Sequence, residues 1–275
     1  MKLKIIAFLI IIFALSACHS GNNTNTTNNT NTTVAPKHKE FKDSLTYTYK
    51  SVKERSKDCG NGPDSACTVA QFTYQVFKGR AALNDTVNRT LIYFFNADKH
   101  PDTSLRDCDL LFLKAYDITK KNKPNVPPFK LNGFARVISQ DSSLTTLQAG
   151  VFVYMGIDVG HTIIRFINWD RSANKKLVLD DLLVNGNSEQ LSKIAESIFR
   201  KNENLGDTAS FQPRYHFRNN KFLLTDNFLV TAQGLVFYYN RFQLTLERPI
   251  QIVIPYDSLK TLMKPNTVLA QFIKH

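Results

Sequence analysis

Apolar and polar positions alternate near the start of the folded part, switch to helical spacing, and then alternate again. Tyr47 to Val52 and Thr68 to Phe77 are rich in β-branched and aromatic residues with partial period-two alternation, which predicts two strands. From Ala81 to Asn96 the period lengthens, so that Leu83, Val87, Leu91, Phe94 and Phe95 share one side of a helix. His100-Pro101-Asp102 interrupts that pattern, and Ser104 to Lys121 predicts a second helix with Leu105, Leu111, Phe112, Ala115 and Ile118 apolar. Pro124, Pro127 and Pro128 close the region. Lys130 to Gln140, Ser143 to Met155 and Thr162 to Asp170 then read as a meander, with turns at Asp141-Ser142 and Gly156 to Gly160.

The C-terminal third repeats the mixture. Lys176 to Leu183 is an apolar run interrupted by Asp180-Asp181, a pair that reads as a helix N-cap followed by a favourable N-terminal charge. Ser188 to Lys201 is amphipathic, with Leu191, Ile194, Ala195, Ile198 and Phe199 on one face. Phe222 to Thr225, Asn227 to Thr231, Leu235 to Asn240 and Ile250 to Tyr256 predict strands, and a short helix starts at Asp257. Strands grouped with strands, and helices grouped apart, predict an α+β fold: an antiparallel meander sheet packed against helices, in two intimately associated subdomains. The boundary is expected near 170, giving an N-terminal α+β subdomain over 40–170 and a C-terminal one over 171–275.

The first forty residues follow different rules. Lys2 and Lys4 precede an apolar core, Ile5 to Leu15, that is too short to span a bilayer comfortably as a helix. Leu15-Ser16-Ala17-Cys18 follows and resembles a bacterial lipobox. The expectation is a signal peptide over 1–17, cleavage before Cys18, and acylation of that cysteine as a membrane anchor. Residues 18–39 are dominated by Asn and Thr with almost nothing apolar to bury, and read as a disordered tether. His19 follows the cysteine where the enterobacterial sorting rule looks for Asp, which favours the outer membrane. The expected location is therefore the cell envelope, on the periplasmic face.

Export bears on the remaining cysteines. Cys59 and Cys67 flank a loop of turn residues, and in an oxidising compartment a disulfide is the expected state. A zinc site is the alternative, although no second Cys/His pair stands at ligand spacing. Cys108 lies between Asp107 and Asp109, and is expected to be a buried, unpaired thiol whose pKa its neighbours raise.

The formal net charge is +12. Without Lys2 and Lys4 of the leader it is +10, and in an exported chain such a charge points to anionic lipid, lipopolysaccharide or peptidoglycan rather than to nucleic acid, the alternative being a basic protein with no specific anionic partner. Gly156-Ile157-Asp158-Val159-Gly160-His161 mimics the Asp-x-Gly phosphate loop of Hsp70/actin-type ATPases. His161 replaces the expected Ser or Thr, however, and neither a second such loop nor an adenosine-side Gly-Gly follows. No nucleotide, metal or other cofactor is expected. Gly-x-Ser-x-Gly, His-Glu-x-x-His and Cys-x-x-Cys are also missing, and the six histidines are scattered.

A resemblance narrows the reading. Leu224-Thr225-Asp226-Asn227 through the Gly234-Leu235-Val236-Phe237-Tyr238-Tyr239-Asn240 hairpin, then Ile252-Val253-Ile254-Pro255-Tyr256, resembles the C-terminal domain of RsiV-type anti-sigma factors. That domain also occurs in PdaC-type peptidoglycan deacetylases and in bacterial lipoproteins. The Trp169 to Leu183 segment matches the family's pattern upstream, and the paired-cysteine loop matches further upstream. The family's Tyr-x-Gly-Gly-Ala-His turn corresponds to Tyr154 through His161, here longer and with the second glycine displaced. The resemblance implies a non-catalytic domain that binds a lysozyme-like protein or cell-wall glycan, since the deacetylases carry their catalysis on a separate domain. A cryptic glycan-active enzyme and a structural lipoprotein without ligand are the alternatives. Tyr154, His161 and Arg165, around the glycine turn, are the candidate binding residues. Tyr238 and Tyr239 occupy opposite faces of one strand, so one is expected in the core and the other nearer the surface.

Overall fold

A computed structural model describes residues 44–95, 102–157 and 159–273. The leader, Cys18, the Asn/Thr-rich segment, His100 and Asp158 lie outside the described residues. The fold is α+β, with one six-stranded and one three-stranded sheet.

β1 (Tyr47–Arg55) pairs antiparallel with β2 (Val69–Phe77), from Tyr47 opposite Phe77 to Arg55 opposite Val69. Two helices follow, α1 (Ala81–Tyr93) and α2 (Leu105–Asn122), and return the chain to β3 (Lys130–Gln140). That crossover makes β2 and β3 parallel, a departure from the all-antiparallel expectation. A helical connection carries the chain back to the same end of the sheet, as a parallel neighbour requires. β4 (Leu144–Tyr154), β5 (His161–Asp170) and the two-residue β6 (Lys175–Lys176) complete the sheet as the predicted meander.

The run from Lys176 to Leu183 is not one element. It leaves β6 and forms a single helical turn, α3 (Leu179–Leu182). Asp180 is inside that turn rather than at its N-cap. Asp181 accepts from the Val178 backbone N–H at 3.0 Å, capping the turn from its third position. α4 (Ser188–Asn202) follows, then β7 (Phe228–Val230), β8 (Gly234–Tyr239) and β9 (Ile250–Pro255), an antiparallel sheet in chain order. Phe222 to Thr225 is not a strand. Its backbone is held from the side instead: the Tyr239 hydroxyl donates to Leu223 O at 2.7 Å and accepts from Thr225 N–H at 3.2 Å. The helix expected at Asp257 is a single 3-10 turn, Tyr256–Ser258.

Each sheet has its own core. Leu83, Val87 and Leu91 of α1 and Cys108, Phe112 and Tyr116 of α2 pack on Phe72, Leu131, Leu147, Ile167 and Trp169. α2 presents a different face from the one its apolar residues suggest. Leu111 and Ile118 are exposed, whereas Asp109 is completely buried. The Phe112 and Tyr116 rings decide this orientation: both pack against Phe129, at centroid distances of 5.9 and 5.2 Å. Burying two aromatic rings is worth several kcal/mol and outweighs the exposure of Leu111 and Ile118. The second core centres on Phe199 of α4, ringed by Phe211, Tyr215, Phe217 and Phe222.

The two sheets meet along β5, of which only Trp169 and Asp170 are covered by β6. The rest of that edge would present open backbone groups. Three buried asparagines cover it. Asn240 accepts from Ile164 N–H at 2.7 Å and donates to Ile164 O at 3.0 Å. Asn227 accepts from Phe166 N–H and donates to the same Ile164 carbonyl, both at 2.9 Å. Asn168 acts in the other direction, donating to Phe228 O and accepting from Val230 N–H on β7, both at 2.8 Å. A carboxamide has the donor and acceptor of a peptide group, so the asparagines stand in for a missing strand.

Candidate functional site

The glycine turn has structural reasons for its composition. Gly156 adopts φ +75°, and a Cβ there would lie 2.9 Å from Val126. Gly160 lies on the Phe152 ring, which a Cβ would meet at 2.3 Å. His161 pairs with Val153 across the hairpin. Tyr154, the next residue on β4, therefore points to the opposite face of the sheet from His161. The His161 ring packs edge-on to Phe242, at 5.2 Å between centroids. Around it Ile157 and Val159 are 64% and 76% exposed, so the turn forms an apolar tip.

Arg165 shares the face of His161 but lies four residues along the strand, about 13 Å away. It sits with Ile167 and Trp169 on the side facing α1. Its guanidinium lies 4.7 Å from the centroid of Tyr93, at the end of α1, and donates to Asp226 at 2.8 Å. The three residues singled out in the sequence are thus not one site. Tyr239 is in the core as expected for one of the tyrosine pair. Tyr238 is half-buried and packs on Phe166 between the sheets, at 5.8 Å.

Arg165 has a companion that sequence reasoning missed. Lys176 on β6 pairs with Trp169 and so faces α1 on the same side as Arg165. Its pKa is lowered, first by burial and then by the charge of Arg165. The charge of Asp226 acts in the opposite direction, but among the described residues the ammonium makes no hydrogen bond and no ion pair within 4 Å. Two cavities share Arg165 and Lys176. One, of about 330 Å3, lies against Arg89, Thr90 and Tyr93 of α1. The other, of about 240 Å3, continues toward Val178, Asp226 and Phe228. Together they form a groove beside α1 that runs to the junction of the two sheets. No spacing or motif around Lys176 marks it, because a lysine beside an apolar run ordinarily reads as the solvated end of a strand.

Further titratable groups are explained by packing. Cys59 and Cys67 are disulfide-bonded, with Cα atoms 5.4 Å apart. Beside them Asp58 is held at about 2 by its hydrogen bond from Lys120, and it also accepts from Tyr116 at 2.9 Å, tying the loop to α2. Cys108 is buried, and burial followed by the charges of Asp109 and Asp107 pushes its thiol to about 11. This removes the thiolate needed for reactivity at neutral pH. Neither Asp109 carboxyl oxygen has a partner among the described residues, and burial, then the charge of Glu54, raises its pKa to about 7. Glu203, at the end of α4, accepts from the Tyr215 hydroxyl and from Arg248 at 2.7 and 2.9 Å.

Residues 180–257 match a family model described as "Protein of unknown function (DUF3298)". Two solved structures share the fold. A DUF3298 family protein from Pseudomonas aeruginosa PAO1 is 22% identical, with 82% of this chain and 96% of that chain covered and a TM-score of 0.64. A member of the same family from Bacteroides fragilis is 17% identical, with 84% and 98% covered and a TM-score of 0.60. No curated protein matches the chain.

Proposed function

We propose that this chain is a lipid-anchored envelope protein whose folded part binds cell-wall glycan without transforming it. The observation that carries the reading is the groove shared by Arg165 and Lys176. It is concave, it combines cations with an exposed aromatic ring, with Asp180 and Asp226 at its inner end, and its residues come from α1, β5, β6, α3 and the start of β7, which the packing holds in place. The formal charge of +12, which is +10 once the leader with Lys2 and Lys4 is removed, favours an anionic partner of this kind and opposes a cationic one. The lipobox-like Cys18 and the Asn/Thr-rich segment support an envelope location, and the resemblance to RsiV-type and PdaC-type domains supports the same class of partner.

A protein partner of the lysozyme-like kind is the second reading. The apolar tip around Ile157, Val159 and Phe242 favours it, because exposed apolar clusters mark protein contacts. Co-sedimentation of the purified protein with insoluble sacculi, alongside pull-down with immobilised lysozyme, separates the two. Retention by sacculi that falls as salt is raised is the expected result. Retention by lysozyme alone transfers the function to the tip, and retention by neither removes the binding reading.

A further inference from the structure

We infer that the groove beside α1 reads a carboxylate-bearing sugar, with Lys176 as the residue that meets the carboxylate. The inference rests on the glycan-binding reading and names the part of the glycan that is recognised.

Charge comes first. The larger cavity is lined by three cations, Arg89, Arg165 and Lys176, against the single carboxylate of Asp85. Asp85 is already bridged to Arg89 at 3.1 Å, and Arg165 already has Asp226 at 2.8 Å. Lys176 is the cation without a close partner: half-buried and beside the like charge of Arg165, it makes no ion pair within 4 Å among the described residues, and Asp226, already bridged to Arg165, reaches it only at longer range. A desolvated ammonium is costly unless an anion meets it, so a carboxylate from solution completes the arrangement.

The other groups point to a sugar rather than to a bare anion. Tyr93 borders the cavity with 45% of its surface in solvent, offering an aromatic edge and face for an apolar C–H surface. Thr86 and Thr90 also line it. Thr86 gives its hydroxyl proton to Ala82 O at 2.9 Å, and Thr90 gives its proton to Thr86 O at 2.7 Å. With both protons committed to the helix, the two oxygens offer lone pairs, which suit sugar hydroxyl donors. An anion, an apolar ring face and hydroxyl donors on one small ligand describe an acidic sugar. The cavity, about 330 Å3, is within the range of small-ligand sites.

The test compares N-acetylmuramic acid with N-acetylglucosamine, which lacks the lactyl carboxylate, and with inorganic phosphate. Binding to the full chain is followed by calorimetry. In parallel, modification of Lys176 by an amine-reactive reagent is followed by peptide mass spectrometry. The acidic sugar is expected to bind at least tenfold more tightly than the other two and to protect Lys176. Lys176→Met is expected to erase the preference, and Tyr93→Ala to weaken both sugars together while phosphate is unaffected. Thermal melts confirm that each variant is folded. Equal binding of the two sugars, phosphate binding as tight as the acidic sugar, or an unchanged preference in Lys176→Met overturns the inference. Sacculi stripped of stem peptides by an amidase, which frees the lactyl carboxylates, would, if they retain wild type and Lys176→Met equally, leave glycan binding standing and remove only this site. Wild type that is not retained by sacculi overturns the glycan-binding reading itself.

Discussion

Asn227 faces Phe166 across the open edge of β5, its Oδ1 accepting the Phe166 backbone N–H at 2.9 Å while its Nδ2 donates to Ile164 O at 2.9 Å. One side chain thereby satisfies two backbone groups that no neighbouring strand reaches. Asn240 shares the Ile164 carbonyl at 3.0 Å, so the two sheets are joined through side-chain amides. Replacing Asn227 with Ala should cost about 1–3 kcal/mol, the penalty for leaving buried backbone groups unmet. Asn227→Asp should cost at least as much, because a carboxylate would face the Ile164 carbonyl without a donor. Denaturant melts check both. The Asn227→Ala/Asn240→Ala pair should deviate from additivity, since the two residues share one acceptor. Additive losses would show that the amides act independently.

Asp109 sets a pH dependence. Its folded pKa of about 7 lies above the ordinary carboxylate value of 3.8. Between these values the folded protein holds a proton that the unfolded chain has released. Stability should therefore fall as pH rises from about 4 to about 7 and level off above, by at most about 4 kcal/mol. Asp109→Asn should raise the melting temperature at pH 8 and change it little at pH 4. Equal effects at both pH values would show that the carboxyl is solvated.

Glu203 acts at the acid end. Burial pushes its carboxyl upward, but hydrogen bonds from Tyr215 and Arg248, with the charges of Arg248 and Arg214, more than offset this and hold its pKa below normal. A lowered carboxylate contributes stability above its unfolded pKa, and that contribution is lost as pH falls through the folded value. Glu203→Gln should flatten the acid limb of a stability-versus-pH curve below about pH 4.5. At pH 7 it should cost about 1–3 kcal/mol, because Tyr215 and Arg248 lose a charged acceptor. An unchanged acid limb would assign that limb to Asp58 and the surface carboxylates.

The Cys59–Cys67 bond closes a short loop. The chain-entropy relation gives about 2–3 kcal/mol for a loop of this length. Cys59→Ser should lower stability by that amount under oxidising conditions and have no effect in reductant. Cys108, buried in the first core, should stay unmodified by thiol reagents in the folded protein at pH 7 and react only on unfolding. Rapid labelling of Cys108 in native protein would contradict its burial.

Much of the fold is legible from period alone. The β3–β4–β5 meander, α1, α2 and α4 fall within a few residues of their expected ends, because each has an apolar face that must be buried and only one period places it there. Phe222 to Thr225 misled because its apolar residues pack onto an aromatic cluster while its backbone is satisfied by the Tyr239 hydroxyl rather than by a ladder. α2 misled because two rings meeting Phe129 outweigh a count of leucines.

The site was less legible. Tyr154, His161 and Arg165 cluster in sequence, but pleating sends Tyr154 to the other face and strand rise carries Arg165 away from the turn. Tyr93, Arg165 and Lys176 come together from a helix end, a strand centre and a two-residue strand. Local order along the chain determined the β3–β4–β5 meander, the positions of α1, α2 and α4, and the disulfide, since each depends on neighbours or on burial. The register of β5, the asparagines that close its edge and the burial of Lys176 beside Arg165 were decided only in three dimensions. They depend on which distant groups each side chain meets, and no local pattern encodes that.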